Sequence, residues 1–145
     1  MFIDTNVFVS ARSARAPHNS LARAALSRAQ RTGEPLRINR QVLREYLSTM
    51  TRPQTWQVPL SMADALNDLA WLSATFEILE DGAHVTDMLV ALCQEVLLAG
   101  KQVHDAIIVA TMLAHGERRL LTFNASDFRR YGERIELIVP DVQIS

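Results

Sequence analysis

Val103–Phe128, VHDAIIVATMLAHGERRLLTFNASDF, decides the fold. It reads as a buried helix over Asp105–His115, a turn at Gly116, a short apolar strand over Arg119–Phe123 and a polar loop. The helix is about 16 Å long at the helical rise, and the strand about 17 Å long at the strand rise. A helix and the strand after it run in opposite directions within an α/β layer. The start of this helix and the end of this strand are therefore expected at one edge. Asp105 opens the helix and Asp127 follows the strand, so the pattern gathers two carboxylates distant in sequence. At about 4 Å and an effective dielectric near 20 they repel by roughly 4 kcal/mol, and a divalent cation is the usual reason for such a gathering.

The same alternation extends outward through the chain. Met1–Ile3 reads as a short strand that meets Asp4-Thr5-Asn6, then a turn or helical start at Val7–Val9. Pro17 suits a first helical position and Pro17–Thr32 a helix, closed by Gly33. Leu36–Ile38 is a second strand. Asn39 caps a helix over Arg40–Met50, with Leu43, Tyr46, Leu47 and Met50 on its apolar face and Glu45 off it. Thr51–Pro59 is a loop. Ser61 caps a helix to Ser73 with Met62, Ala65, Leu66 and Leu69 inward. Phe76–Leu79 is a third strand, and Val85, Met88, Leu89, Leu92 and Val96 space a helix that ends at Gly100. Ile135–Val139 is the last strand. Helices alternating with β-branched runs predict an α/β fold, three-layer α/β/α with a short central parallel sheet. Sites in such sheets lie beyond the carboxyl ends of the strands.

A chain of 145 residues suits one domain, 1–145, and buries roughly 70% of its unfolded surface without disulfides. Cys93 lies in an apolar run and is expected in the core, consistent with a reducing cytoplasm. Asp4 and Asn6 interrupt the first apolar run, which argues against a signal peptide. No apolar run approaches the ~20 residues of a membrane span, so no membrane contact is expected. The net charge of −1 announces no polyanion binder, but its distribution is uneven. Residues 1–44 carry eight Arg against Asp4 and Glu34, whereas residues 45–145 carry seven basic and fourteen acidic side chains. All the basic residues but Lys101 are Arg, whose fork suits phosphate; solvated helix faces are the simpler source of that bias.

Four acids are placed to converge: Asp4 after the first strand, Glu45 in the helix after the second, Asp105 and Asp127. Hard oxygen donors with few His or Cys partners suit Mg²⁺ or Mn²⁺ and not zinc. A cation in such a site keeps several waters, activates one as a nucleophile and polarises a phosphoryl oxygen, which is the chemistry of phosphodiester hydrolysis. No Ser/His/Asp arrangement, Gly-rich phosphate loop or paired-cysteine motif competes.

The start MFIDTNVFV, the helical REYL, the run HDAIIVATML and the close LLTFNASDF resemble PIN-domain ribonucleases, especially VapC-type toxins, from end to end. By that resemblance Asp4, Glu45 and Asp105 match the main metal-binding acids and Asp127 a more variable fourth. Asn6 and Thr122 resemble polar residues that orient the acids, with Asn124 a looser match. The resemblance implies a Mg²⁺- or Mn²⁺-dependent endoribonuclease, commonly a homodimer, with a cognate antitoxin that wraps the toxin and blocks its acidic pocket. Arg12 and Arg15, after the first acid, and Arg129 and Arg130, past Asp127, are candidates to meet RNA. Tyr46, Trp56 and Trp71 are read as packing residues and not as base-stacking ones, and His104 as a helix-start residue making a local bond. Two rivals remain. One is an aspartyl-phosphate phosphatase or phosphotransfer domain with Asp4 as nucleophile. The other is a non-catalytic RNA- or protein-binding relative.

Overall fold

The computed structural model describes residues 1–141. The chain runs β1 (Phe2–Ile3), α1 (Thr5–Arg12), α2 (Asn19–Thr32), β2 (Arg37–Ile38), α3 (Arg40–Met50), α4 (Met62–Thr75), β3 (Glu77–Ile78), α5 (Ala83–Glu95), α6 (Gln102–Ala114), β4 (Arg119–Leu121), α7 (Ala125–Phe128), a 3₁₀ segment Arg129–Arg134 broken at Gly132, and β5 (Glu136–Ile138). The strands form one five-stranded sheet, every pair parallel, in the order β3-β2-β1-β4-β5. Right-handed crossovers then put α1 to α4 over one face and α5 to α7 over the other, and α1 packs on α2 and α3 while α5 packs on α6. This is the expected α/β fold with a short parallel sheet flanked by helices.

Local chemistry explains the elements. Asn39 accepts a bond from Val42 N at 3.0 Å and starts α3, and Ser61 does the same for α4 through Asp64 N at 3.1 Å. At the end of α6 the amide of Glu117 bonds Met112 O at 2.8 Å and that of Gly116 bonds Leu113 O at 3.1 Å. Gly116 holds φ +74, which only a residue without a β carbon adopts freely, and the chain reverses into β4. Phe2, Ile3, Ile38, Leu120 and Leu121 are buried in the sheet, and Ala106, Ile108, Val109, Ala110 and Met112 press α6 against it.

Four expectations need correction. Asp105 does not open α6: the helix begins at Gln102, whose Oε1 accepts from Ala99 N at 3.0 Å, so Asp105 lies within the first turn. α5 stops at Glu95, because Val96 turns extended and the chain must return toward the next helix. Cys93 is exposed, since the buried stripe of α5 runs through Val85, Leu92 and Val96 and leaves its neighbour outward. Met62 and Leu66 are half-exposed, because α4 meets the core through Ala65, Leu69 and Leu72.

The amino ends of the strands meet a buried carboxylate. Glu117 lies 2.6 Å from the Met1 ammonium and 3.1 Å from Arg37, and it also accepts from the amides of Arg118 and Arg119 at 2.9 and 3.0 Å. Burial alone would push this carboxyl up, but the bonds from the Met1 ammonium and the Arg119 amide overcome it and hold the pKa below the ordinary 4.5. The stability this lends is present above that value and is lost as pH falls through the lowered one. Glu117→Ala, which takes the nearest acid from the buried Met1 ammonium, is expected to cost about 3 kcal/mol in denaturant unfolding at pH 7; a loss under about 0.5 kcal/mol would show that the cluster contributes no net stability.

Candidate metal centre at the strand ends

The order of the sheet reverses at β1, so the crevice between β1 and β4 opens at their carboxyl ends. Asp4 follows β1 there, its amide bonded to Leu121 O at 3.0 Å. Its side chain is 7% exposed and held on both oxygens. Oδ1 accepts from Thr5 N at 2.8 Å, and Oδ2 accepts from Thr122 Oγ1 at 2.8 Å and Asn6 Nδ2 at 3.2 Å. Asn6 in turn accepts from Phe123 N at 3.1 Å, which ties α1 to the turn after β4. The Thr122 hydroxyl also accepts from Asn124 N at 3.0 Å.

Glu45 projects from α3 and is gripped from two elements. Thr5 Oγ1 donates to Oε2 at 2.9 Å, and Gln41 Nε2, one turn earlier on α3, donates to Oε1 at 2.9 Å. The same Gln41 amide reaches His104 O at 3.2 Å and so links α3 to the first turn of α6, where Asp105 sits half-buried. Asp4, Glu45 and Asp105 all line one open cleft of about 650 Å³, together with Asn6 and Asn124. Asp127 is exposed on α7 and does not line it, though its charge bears on Asp105.

The acids perturb one another. Burial pushes the Asp4 carboxyl up to about 6; bonds from Thr122 and Thr5 oppose the rise, and repulsion from Glu45 and Asp105 adds to it. Asp105 is raised chiefly by burial, then by repulsion from Asp127 and Glu45, with Arg130 and His104 opposing. Among the described residues no three His, Cys, Asp or Glu side chains converge tightly enough to enclose a metal as they stand. The donors are nevertheless carboxylate oxygens around open space, a set that suits a hard cation retaining waters, and a cation would offset both the burial and the repulsion that raise Asp4 and Asp105.

Of the arginines named from sequence, Arg12 is engaged by Asp68 at 2.8 Å, and Arg12, Arg15, Arg129 and Arg130 all lie outside the cleft lining. Arg130 alone of the four bears on an acid, through its charge on Asp105. Sequence reasoning missed Thr5, Gln41, Arg44 and Arg52. Gln41 had a readable signal, because a residue four before Glu45 shares its helix face. Arg44 and Arg52 line the cleft from α3 and the loop after it.

A family model described as PIN domain matches residues 1–134. A comparison with curated proteins found no match. Among solved structures, VapBC2 from Rickettsia felis bound to a DNA fragment from its promoter is 20% identical, with a TM-score of 0.68 over 97% of this chain and 98% of that one. A toxin–antitoxin complex from Klebsiella pneumoniae is 23% identical, with a TM-score of 0.67 over 97% of each chain. DNA-bound VapBC from Salmonella typhimurium is 16% identical, with a TM-score of 0.66 over 95% and 96%.

The raised pKa of Asp4 carries a sign for stability. A carboxyl with a folded pKa of about 6 against 3.8 unfolded penalises the native state above the folded value and leaves it unpenalised below the unfolded one. Asp4→Asn is therefore expected to stabilise the metal-free protein by roughly 1–3 kcal/mol at pH 7.5, with the gain fading as pH falls toward 4. Thermal unfolding of both proteins in chelator across that range checks this; a destabilised variant at pH 7.5 would refute the penalty.

Proposed function

The chain belongs to the PIN-domain family, and on that premise we propose that it is a Mg²⁺- or Mn²⁺-dependent endoribonuclease, the toxin of a type II toxin–antitoxin pair that inhibits translation by cutting RNA. One observation carries the reading: Asp4, Glu45 and Asp105, from three separate elements, line one cleft at the strand ends, where burial raises the proton affinity of Asp4 and Asp105. Stability alone would not gather them.

Asp4, Glu45 and Asp105 would hold the cation, with Asp127 a further carboxylate beside Asp105. When bound, such a cation polarises a phosphoryl oxygen and lowers the pKa of water. The chain's own polar groups fix the acids in advance. Thr122, Asn6 and the Thr5 amide aim Asp4, while the Thr5 hydroxyl and Gln41 aim Glu45. The carboxylates repel phosphate, so purchase on the RNA backbone falls to cations around them. The solved neighbours crystallised as toxin–antitoxin or VapBC complexes, which supports a cognate antitoxin as partner. A homodimer acting in the cytoplasm completes the proposal; no described helix is long and apolar enough to cross a membrane.

The geometry disfavours the aspartyl-phosphate rival. A nucleophilic Asp4 would need an oxygen free to swing onto phosphorus, whereas three donors fix both oxygens in place, a hold that leaves a lone pair for a cation but not that freedom.

Incubation of single-stranded RNA with Mg²⁺ or Mn²⁺ tests the proposal. Asp4→Asn, Glu45→Gln and Asp105→Asn are each expected to lower cleavage by roughly a hundredfold or more, and chelation to abolish it; cleavage that survives both chelation and Asp4→Asn would sink the mechanism. Asp127→Asn is expected to cost only about tenfold at saturating metal, because Asp127 stands outside the cleft lining. A loss as large as that of Asp105→Asn would instead make it a full member of the site.

A further inference from the structure

The cleft continues past the acids. Its wall carries Arg44, Glu45, Ser48 and Thr49 from α3, then Arg52 and Trp56 from the loop that follows. Arg52 lies two residues past the last residue of α3. Among the described residues neither Arg44 nor Arg52 has an acidic partner within 4 Å. The loop is tied back on the helix: Gln54 Nε2 donates to Thr49 O at 2.9 Å, Gln54 pairs with Gln57, and Leu60 N donates to Met50 O at 2.8 Å. Trp56 is thereby held half-buried on the cleft wall.

A second aromatic surface lines the same cleft. His18 stacks on Phe123, ring centroids 5.3 Å apart and planes 23° from parallel. His18 holds a left-handed backbone, φ 62, and is the one non-glycine residue to do so among those described. That conformation is uncommon for a residue with a β carbon. The backbone serves the helix, the His18 carbonyl accepting from Ala22 N at 2.9 Å, but the side chain makes no capping bond to α2; the ring packs on Phe123 at the cleft.

We propose that this part of the cleft is a nucleotide subsite, in which Trp56 and the His18–Phe123 platform stack unpaired bases while Arg44 and Arg52 hold the phosphates beside them. The ligand's identity as RNA rests on the nuclease reading above. Aromatic faces accept any base by stacking, and guanidinium groups pair with phosphate oxygens. Bases inside a duplex are already stacked and cannot be offered to a wall, so the subsite selects single-stranded or looped RNA. An acidic peptide would satisfy Arg44 and Arg52 but leave both aromatic surfaces without a role.

Trp71 lies on α4 outside the cleft, so Trp71→Phe leaves Trp56 as the sole tryptophan. In an Asp4→Asn/Trp71→Phe protein, which should bind RNA without cutting it, a labelled hexauridylate is titrated beside an abasic strand of the same length and a blunt duplex. Anisotropy reports binding and Trp56 fluorescence reports stacking. The expected result is quenching by hexauridylate alone, with at least about tenfold weaker binding of the abasic strand and the duplex. Trp56→Ala and His18→Gly are each expected to weaken hexauridylate about five- to tenfold and to leave the abasic strand unchanged, whereas Arg52→Ala should weaken both and reduce the salt slope by about one. Glycine suits the backbone of residue 18, so His18→Gly should lose binding without losing thermal stability, which separates the missing ring from misfolding. Hexauridylate binding with no quenching and no effect of Trp56→Ala or His18→Gly overturns the subsite, and so does equal affinity for duplex; either result leaves the nuclease reading standing if the unsubstituted protein still cuts RNA. No binding of any strand and no cleavage in Mn²⁺ overturns both.

Discussion

A carboxylate buried at the end of the central strand is the constraint on which the rest depends. β1 lies between β2 and β4, so whatever follows Ile3 is walled in by the sheet's own neighbours. An acid placed there loses its water, and an ionised carboxylate without partners is costly to bury. Asp4 is tolerated because Thr5, Asn6 and Thr122 supply donors from both α1 and the end of β4. Those bonds also fix the turn after β4, since Asn6 and Thr122 continue to the amides of Phe123 and Asn124. The support shell of one acid thus shapes the floor of the cleft.

The opposite end of the sheet shows that partners can reverse the rise in pKa that burial imposes on a carboxyl. Glu117 is as buried as Asp4, yet its pKa moves down and that of Asp4 moves up. The difference is the company each keeps. Glu117 faces the Met1 ammonium and Arg37, so its charge is matched within the protein. Asp4 has no ion-pair partner among the described residues, so burial outweighs its Thr122 and Thr5 bonds, and Glu45 and Asp105 add a smaller repulsion. The unmatched end is the one that faces the cleft.

Periodic patterns transferred from sequence to structure with little loss. The bounds of α3 follow from Asn39 and the Leu43, Tyr46, Met50 stripe, and the alternation of helices with short strands implied the parallel sheet. What failed depended on tertiary demands that no local window contains. Asp105 sits one turn inside α6 because Gln102 turns back on Ala99, a contact that spacing does not announce. Met62 and Leu66 looked inward by composition, but α4 touches the core along a narrower stripe. Of the site, the acids were legible as residue types after strands and on helices. The hold of Thr5 and Gln41 on Glu45 was not, because it depends on α1 and α3 meeting at the strand ends.

The ion pairs show why the most basic segment is not a free phosphate-binding arm. The basic first third and the acidic remainder look like a phosphate-binding arm and a repelling body. In the folded chain they are largely partners: Arg12 meets Asp68, Arg37 meets Glu77 and Glu117, Arg40 meets Glu80, and Arg119 meets Glu34. Apart from the one that ends on buried Glu117, such exposed pairs contribute little stability each, about 0–1 kcal/mol, but they decide which guanidinium groups are already committed. Arg12 follows the first acid closely in sequence and is nonetheless committed to Asp68. Arg44 and Arg52 lie further along, on and just past the helix that carries Glu45, and both border the cleft. Their position follows from α3 running along the cleft, a relation that the uneven distribution of charge along the sequence does not reveal.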